Sequence, residues 1–358
     1  MGGYPPQPTV PHPLWRDKAR PALTSRGSAD RMAAYHSLNT TGFARHGHID
    51  ISGWSPMPTY RVLQADVFTD RPFGGNPVAV LPEAEGLDEA TMQQIAREMN
   101  LSETAFVFPP TAPGADVRVR FFTPEREIPF AGHPTLGTHY LLALEGRYEL
   151  QEPVTRIHQE IGLGVLPVDL HVSGGGVAHV VMTQDLPTFG PEATDRGLVT
   201  KALSLTPEAL APGHPVQVVS TGLPHLIIPL SSLKAIEAAR VDRAAMDELA
   251  ETLEVDCFMP FSLETVDPAK AVHVRMFAPR LGVPEDPATG SGSGALGAYL
   301  VRQRLVNATP TTTVILSEQG LEAGRPSTVR IEVDGTDDIT AVRVGGQVVK
   351  VMEGTLIF

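Results

Sequence analysis

Hydrophobic and polar residues alternate with a period of two from residue 60 to residue 68, and this alternation predicts the first β-strand. Apolar residues then recur at helical spacing over 88–99 and again over 244–253, which predicts two helices. Each helix is followed by a short apolar segment, 105–108 after the first and 257–261 after the second, that predicts a strand. The pattern of apolar residues therefore predicts a helix followed by a strand at two places in the chain.

A sequence motif repeats along with these elements. The segment 119–124 (VRFFTP) is matched by 274–279 (VRMFAP), and Pro129 is matched by Pro284 at the same offset of 155 residues. A glycine-containing turn and an apolar helix follow each copy. We predict these two helices at 134–144 and 291–304.

A second pair of segments, 75–82 and 222–229, matches at an offset of 147 and predicts a turn followed by a strand in each copy. The offset rises along the chain from 147 to 155, as insertions within one duplicated unit would produce. We therefore predict an α+β protein of two pseudo-symmetric domains with largely antiparallel sheets, whose turns face one another across a cleft.

The domain boundaries follow from the repeat. We predict an N-terminal domain over 57–178 and a C-terminal domain over 179–346, with a final strand at 347–358 that returns to the first domain. Three consecutive glycines at 174–176 and the Pro/Gly-rich segment 187–191 predict turns near this boundary.

Residues 1–56 differ from the rest of the chain because they are rich in Pro, Gly, Ser and Arg and show no sustained periodicity. We expect this stretch to be disordered or an over-annotated extension, with Met57 as the biological start. A transit peptide is the alternative.

Charge and cysteine content narrow the class of protein. The formal net charge of −13 argues against a nucleic-acid partner, because proteins that bind phosphate backbones present a basic face. No apolar run approaches the roughly 20 residues of a membrane-spanning helix, so we expect no membrane partner. The single cysteine, Cys257, rules out an internal disulfide, and its apolar neighbours predict a buried core thiol. We expect a cytoplasmic protein.

Glu103 is the first candidate for chemistry, because it lies between a predicted helix and the strand that follows it. A carboxylate at such a position can lose part of its hydration, which raises its pKa toward neutral pH and suits a residue that takes and returns a proton. The alternative is a surface glutamate in a loop.

His133 is the second candidate. In the segment Gly132-His133-Pro134, the proline is placed where a helix takes its first residue, so His133 would lie at the helix start. A capping turn with a solvated histidine is the alternative.

The third candidate is Asp286, which precedes the glycine-rich segment 290–294. A glycine-rich helix start exposes backbone N–H groups, so an anion such as a substrate carboxylate can bind there. Asp286 could instead be an ordinary turn residue. Ala131 occupies its counterpart position in the first copy, which favours a specific use of Asp286.

Other chemistries lack a motif. The glycine-rich segment is neither a dinucleotide fingerprint nor a P-loop, and Gly292 stands where a hydrolase elbow requires serine. There is no His-Glu-x-x-His motif and no cysteine pair, so we expect no metal site.

Five ordered segments, 73–77, 99–104, 131–135, 285–291 and 324–327, resemble the PhzF (phenazine-biosynthesis isomerase-like) family, from about Tyr60 to the C-terminus. The resemblance implies the diaminopimelate epimerase-like fold, in which each domain wraps a curved sheet around a central helix. It also implies a homodimer and an isomerase that needs no cofactor.

The resemblance also implies roles for particular residues. Glu103 matches the glutamate that moves a proton on a cyclic dihydro-hydroxyanthranilate, and His133 and Asp286 match residues that hold the substrate and assist the transfer. Substrate-binding residues are expected among the polar and glycine positions of the same segments: Asn76, Gly132, Gly290 and Ser291. Two-thiol epimerisation is disfavoured, because the corresponding turns contain no cysteine.

A different class of function stays open. The same fold without catalysis would be a protein that binds a small molecule, or one that acts through subunit contacts. A converging Glu103, His133 and Asp286 would favour the enzyme, and scattered side chains would favour the binder.

Overall fold

A computed structural model describes residues 58–358. The prediction for residues 1–56 lies outside these described residues. Within them, no helix is long and apolar enough to cross a membrane.

Seventeen strands form one continuous sheet in the described part of the chain. The strands are β1 (Thr59–Val67), β2 (Asn76–Leu81), β3 (Thr104–Phe108), β4 (Val117–Phe122), β5 (Glu127–Ile128), β6 (Val154–Ile161), β7 (Gly164–Ser173), β8 (Gly176–Gln184), β9 (Thr188–Glu192), β10 (Gln217–Ser220), β11 (Pro224–Pro229), β12 (Cys257–Ser262), β13 (Val272–Val274), β14 (Thr312–Gln319), β15 (Ser327–Asp334), β16 (Ala341–Gly346) and β17 (Val348–Ile357).

Between residues 58 and 358, six α-helices accompany the sheet. They are α1 (Glu89–Met99), α2 (Gly132–Leu144), α3 (Arg196–Ala202), α4 (Leu233–Ala238), α5 (Arg243–Leu253) and α6 (Gly290–Arg302), with short 3₁₀ turns at Pro207–Ala209 and Pro279–Leu281.

The strand pairing repeats the duplication that the sequence predicts. In the first half, β1 to β4 pair in order and continue through β6, β7 and β8, with parallel pairing only at β2 with β3 and at β4 with β6. In the second half, β10 to β16 pair in order, and the parallel pairs are again the second and fourth, β11 with β12 and β13 with β14. The largely antiparallel α+β architecture with two pseudo-symmetric halves is therefore confirmed.

Two strands cross between the halves. After β8, the chain enters β9, which pairs with β10 of the second half. After β16, the chain enters β17, which pairs with β1 of the first half over the whole length of β1. The exact boundaries of the two domains stay a prediction.

Each half wraps its sheet around one apolar helix, α2 in the first and α6 in the second, and nearly all residues of both helices are buried. Close packing requires glycine on these helices. A Cβ atom on Gly137 would lie 2.4 Å from Val78 of β2, and one on Gly297 would lie 2.4 Å from Ile331 of β15. Side chains of the sheets therefore pack directly against the helix backbones.

The two outer helices begin and end in the same way. Asp88 accepts a hydrogen bond from the backbone N–H of Thr91 at the start of α1, and Asp242 accepts one from the backbone N–H of Ala245 at the start of α5. Both helices end in a residue of left-handed conformation, and each leads toward a strand, β3 or β12. These caps fix where each helix stops and so place the residue that precedes or begins the next strand.

Two local predictions are wrong. The segment 187–191 is mostly the strand β9 and not a turn, because β9 lies at the sheet edge, where proline and glycine remove no interior hydrogen bond. Helix α2 begins at Gly132, so Pro134 is its third residue and not its first. The backbone N–H of the third residue of a helix has no intrahelical partner either, so proline at this position costs no helical hydrogen bond.

The turn predicted at 174–176 joins β7 to β8, and Gly174 and Gly175 both have positive φ.

Candidate active site

Glu103 lies in the short connection between α1 and β3. About 20% of its side chain is exposed, but its Oε2 atom is buried and has no hydrogen-bond partner among the described residues. Burial is the main cause that raises the pKa of this carboxyl to about 8, and the charge of Asp286 adds to the effect. Glu103 is therefore a proton-bearing acid at neutral pH.

His133 is the second residue of α2 and is buried. Its Nε2 atom lies 3.5 Å from Glu103 Oε2 and 3.3 Å from the carbonyl oxygen of Pro77. Because a carbonyl only accepts, Nε2 carries the proton in this contact. Burial lowers the His133 pKa to about 3, so the ring is neutral.

Asp286 lies in the segment before α6 and is about 9% exposed. Its Oδ1 accepts a hydrogen bond of 2.8 Å from the Asn76 amide, and its Oδ2 accepts one of 2.5 Å from the Thr289 hydroxyl. Burial raises its pKa to about 6 against these two donors, so Asp286 is ionised at neutral pH. At neutral pH the two carboxyl groups therefore differ in charge, with Glu103 protonated and Asp286 ionised.

Adjacent residues of β2 connect the three candidates. Asn76 donates its amide to Asp286 and to the carbonyl of Ala288, both in the second half, while the carbonyl of the next residue, Pro77, accepts from His133 in the first half. Glu103, His133 and Asp286 are therefore gathered around the start of one strand. This is the arrangement that favours the enzyme over the binding protein, and the catalytic roles of the three residues stay predictions.

Arg325 braces the turn that leads into this strand. Its guanidinium donates to the carbonyl oxygens of Gly74 and Gly75 at 2.7 and 2.8 Å and to the buried Asp66 carboxylate at 2.6 Å. Asp66 also accepts the backbone N–H of Phe73, at 2.7 Å. The positive φ of Phe73 and Gly75 is held by these contacts, and Asn76 is directed toward Asp286.

The starts of α2 and α6 complete the cluster. Neither Ala131 before α2 nor Thr289 before α6 caps its helix through its side chain, so the first backbone N–H groups are available to an anion. Gly132 is next to His133. The carbonyl oxygens of Gly290 and Ser291 contact residues outside the three candidates. Gln184 donates to Gly290 O at 3.0 Å, and the Thr221 hydroxyl lies 3.4 Å from Ser291 O.

Cys257 occupies the position of Glu103 in the second half and begins β12. It is buried, as predicted, and burial raises its thiol pKa to about 12. A neutral thiol cannot serve as a general base near pH 7. Among residues 58–358, no group of three or more side chains is arranged to hold a metal ion.

Sequence reasoning missed Thr289 and Gln319. Gln319 ends β14 and contacts both Asp286 and Thr289. Nothing in a single sequence distinguishes this glutamine from other polar strand ends, since it acts through a contact with a segment 30 to 33 residues away.

Comparison with known proteins agrees with this fold. The family model described as "Phenazine biosynthesis-like protein" matches residues 65–354. An uncharacterized isomerase of Mesorhizobium japonicum is 38% identical over 306 residues, covering 84% of this chain and 99% of the relative. The trans-2,3-dihydro-3-hydroxyanthranilate isomerase of Pseudomonas aeruginosa is 36% identical over 296 residues, covering 82% and 98%. The crystal structure of a Bacillus anthracis phenazine biosynthesis protein of the PhzF family covers 84% of this chain and 100% of its own, with 29% identity and a TM-score of 0.77.

The fold and these relatives define an isomerase. The chain belongs to the phenazine biosynthesis-like, or PhzF, family of such enzymes.

Proposed function

We propose that this isomerase moves a proton between two carbons of a small cyclic acid, with Glu103 as the acid/base and without a cofactor. The observation that carries the proposal is the buried, unpartnered Glu103 Oε2, 3.5 Å from a neutral His133. In the reaction, ionised Glu103 removes a proton from one carbon and returns it to another carbon of the same molecule. No electron is gained or lost, so the balance needs no co-reactant.

Two buried oxygen atoms without a partner in the described part of the protein favour particular groups on the substrate. Asn76 Oδ1 and Glu103 Oε2 are both buried and lack a protein partner within the described residues. Asn76 Oδ1 is an acceptor, and so is Glu103 Oε2 in the ionised form that acts as the base, so both favour a ligand that donates hydrogen bonds, such as an amino or hydroxyl group. The uncapped helix starts favour a carboxylate on the same ligand. A substrate of the dihydro-hydroxyanthranilate type has all three groups.

The direct test is proton exchange followed by NMR in deuterated water, with the full chain and trans-2,3-dihydro-3-hydroxyanthranilate beside a panel of cyclic amino and hydroxy acids. We expect deuterium to enter a ring carbon of at least one of them, together with product formation. Binding of a panel member without exchange would contradict the proposal and favour the catalytically inactive binding protein.

The pH dependence gives a second prediction. Because ionised Glu103 is the base and its pKa is about 8, kcat/KM should rise about tenfold per pH unit up to about pH 8 and then level off. Below pH 6, Asp286 also becomes protonated, so the slope should steepen. Rates measured from pH 5 to 9.5 at low substrate concentration check this prediction.

Cys257→Ala is the control for this profile, since a thiol with a pKa of about 12 does not titrate in the range. Its midpoint should match the parent. A profile that is flat across pH 8 would remove Glu103 as the base.

Cytoplasmic location and a homodimer are further parts of the proposal. The single cysteine supports the location, and the resemblance to the family supports the homodimer.

A further inference from the structure

We propose that Gln319 is a positioning residue of the site, whose side-chain amide forces the Thr289 hydroxyl to donate its hydrogen bond to Asp286. Gln319 and Thr289 are both buried, and no role follows from the sequence for either, although Thr289 lies within the segment 285–291. The inference rests on the proposed role of Asp286.

The orientation of the Gln319 amide follows from its backbone partners. Its Oε1 lies 3.1 Å from the backbone N–H of Thr289, which can only donate. Its Nε2 lies 2.8 Å from the backbone carbonyl oxygen of Asp286, which can only accept. A flipped amide would place donor against donor and acceptor against acceptor, so one orientation remains.

This orientation then fixes the direction of the Thr289 hydroxyl. The same Nε2 lies 3.0 Å from Thr289 Oγ1 and, as an amide nitrogen, donates to it. The single hydroxyl proton of Thr289 therefore has Asp286 Oδ2, at 2.5 Å, as its acceptor. A donor fixed in this direction favours ionised Asp286 in a buried setting, where the carboxylate has lost water.

The other half contains a similar pair, which serves as an internal comparison. Gln159 lies on β6, the strand that corresponds to β14 in the pairing order, and it donates to Thr135 of α2 at 3.2 Å. Thr135 donates in turn to the carbonyl of Ala131, at 2.7 Å. Here the hydroxyl is directed at a backbone carbonyl and not at a carboxylate, so the hydroxyl has no ionisable acceptor.

The test measures the ionisation of Asp286 itself, by ¹³C NMR titration of the labelled full chain, with Asp286→Asn to assign the signal. In Gln319→Leu and in Thr289→Val, we expect the Asp286 pKa to rise by about one unit. Thr289→Ser keeps the hydroxyl and should keep the parent pKa. Gln159→Leu, the matched control, removes a buried glutamine that does not touch Asp286 and should also keep it.

A double variant separates positioning from general loosening of the fold. If Gln319 acts through Thr289, adding Gln319→Leu to Thr289→Val should raise the Asp286 pKa no further. An unchanged pKa in Gln319→Leu, or additive shifts in the double variant, would overturn the proposal. If Gln319→Leu does not fold, the Thr289 pair decides, and equal pKa values in Thr289→Val and Thr289→Ser would overturn it. None of these readouts uses turnover, so a failed isomerase assay leaves the result interpretable.

Discussion

Glu103→Gln is expected to lower the proton-exchange rate by about 10²- to 10⁴-fold, the range that a general acid/base contributes. Glutamine has nearly the same shape but cannot take up or release a proton at neutral pH. The contacts that would hold a carboxylate and its neighbouring groups remain, so substrate affinity should change little. Exchange kinetics and calorimetric binding on the same preparation check both parts.

Glu103→Asp is the matched variant, because it keeps a carboxylate and withdraws it by one methylene. It should retain more activity than Glu103→Gln. Equal activity in Glu103→Gln and the parent would exclude Glu103 from the proton transfer.

The pH dependence of the free energy of unfolding shows whether Glu103→Gln loses activity while it stays folded. The folded-state pKa of Glu103, about 8, lies above its ordinary value of 4.5, so the protonated form favours the folded state and its contribution is lost as pH rises from 4.5 to 8. Each pH unit within this window lowers the free energy of unfolding of the parent by up to about 1.4 kcal/mol. Glu103→Gln lacks this cost, so its stability relative to the parent should increase with pH across the window. Denaturant unfolding at pH 5 and pH 8 measures the difference.

Arg275→Met is expected to lower the free energy of unfolding by about 3–5 kcal/mol, as loss of one partner of a buried ion pair does. Arg275 is about 4% exposed and donates two hydrogen bonds of 2.8 Å to Glu285. It also donates to the backbone carbonyls of Ile236 and Ala239, at 3.1 and 2.8 Å. Methionine fills similar volume but leaves Glu285 and both carbonyls without these donors. Urea unfolding measures the loss.

The repeated motif supplies the control. Arg120 holds the equivalent position in the first half, forms a similar two-bond pair with Glu127 and lies over Phe122 as Arg275 lies over Phe277. Its side chain is about 20% exposed, and its partner is about 35% exposed. Arg120→Met should therefore cost about 1 kcal/mol or less. Equal losses in the two variants would show that burial of the pair does not decide its contribution.

The fold could be predicted from the sequence to the extent that it depends on local patterns. Helical spacing placed α1 and α5 within one residue of their observed bounds, and the repeated motif predicted two matching halves. The segment that became β9 could not be identified, because proline and glycine indicate a turn unless the strand is known to lie at an edge. Edge position is a property of the whole sheet.

The site also contains residues that local sequence predicts and contacts that it does not. Glu103, His133 and Asp286 were candidates because each lies at the end of an element, where local sequence is informative. The hydrogen bonds of Asn76 with Asp286 and of Gln319 with Thr289 connect different elements, and no spacing rule relates their positions. Asn76 was expected to bind substrate, yet its amide nitrogen is occupied by Asp286 and Ala288, which leaves only Oδ1 for a ligand.

The pairing of β17 with β1 has a consequence for biosynthesis. Contacts such as that of Arg61 with Glu353 join residues 292 positions apart, so the first half cannot complete its sheet while the ribosome is still making the second. The nascent first half must wait with β1 unpaired on one side, exposed to association with other chains. Asp286 and Gln319 are also made late, so newly synthesised chains should bring Glu103 and Asp286 together only after most of the described sequence has left the ribosome.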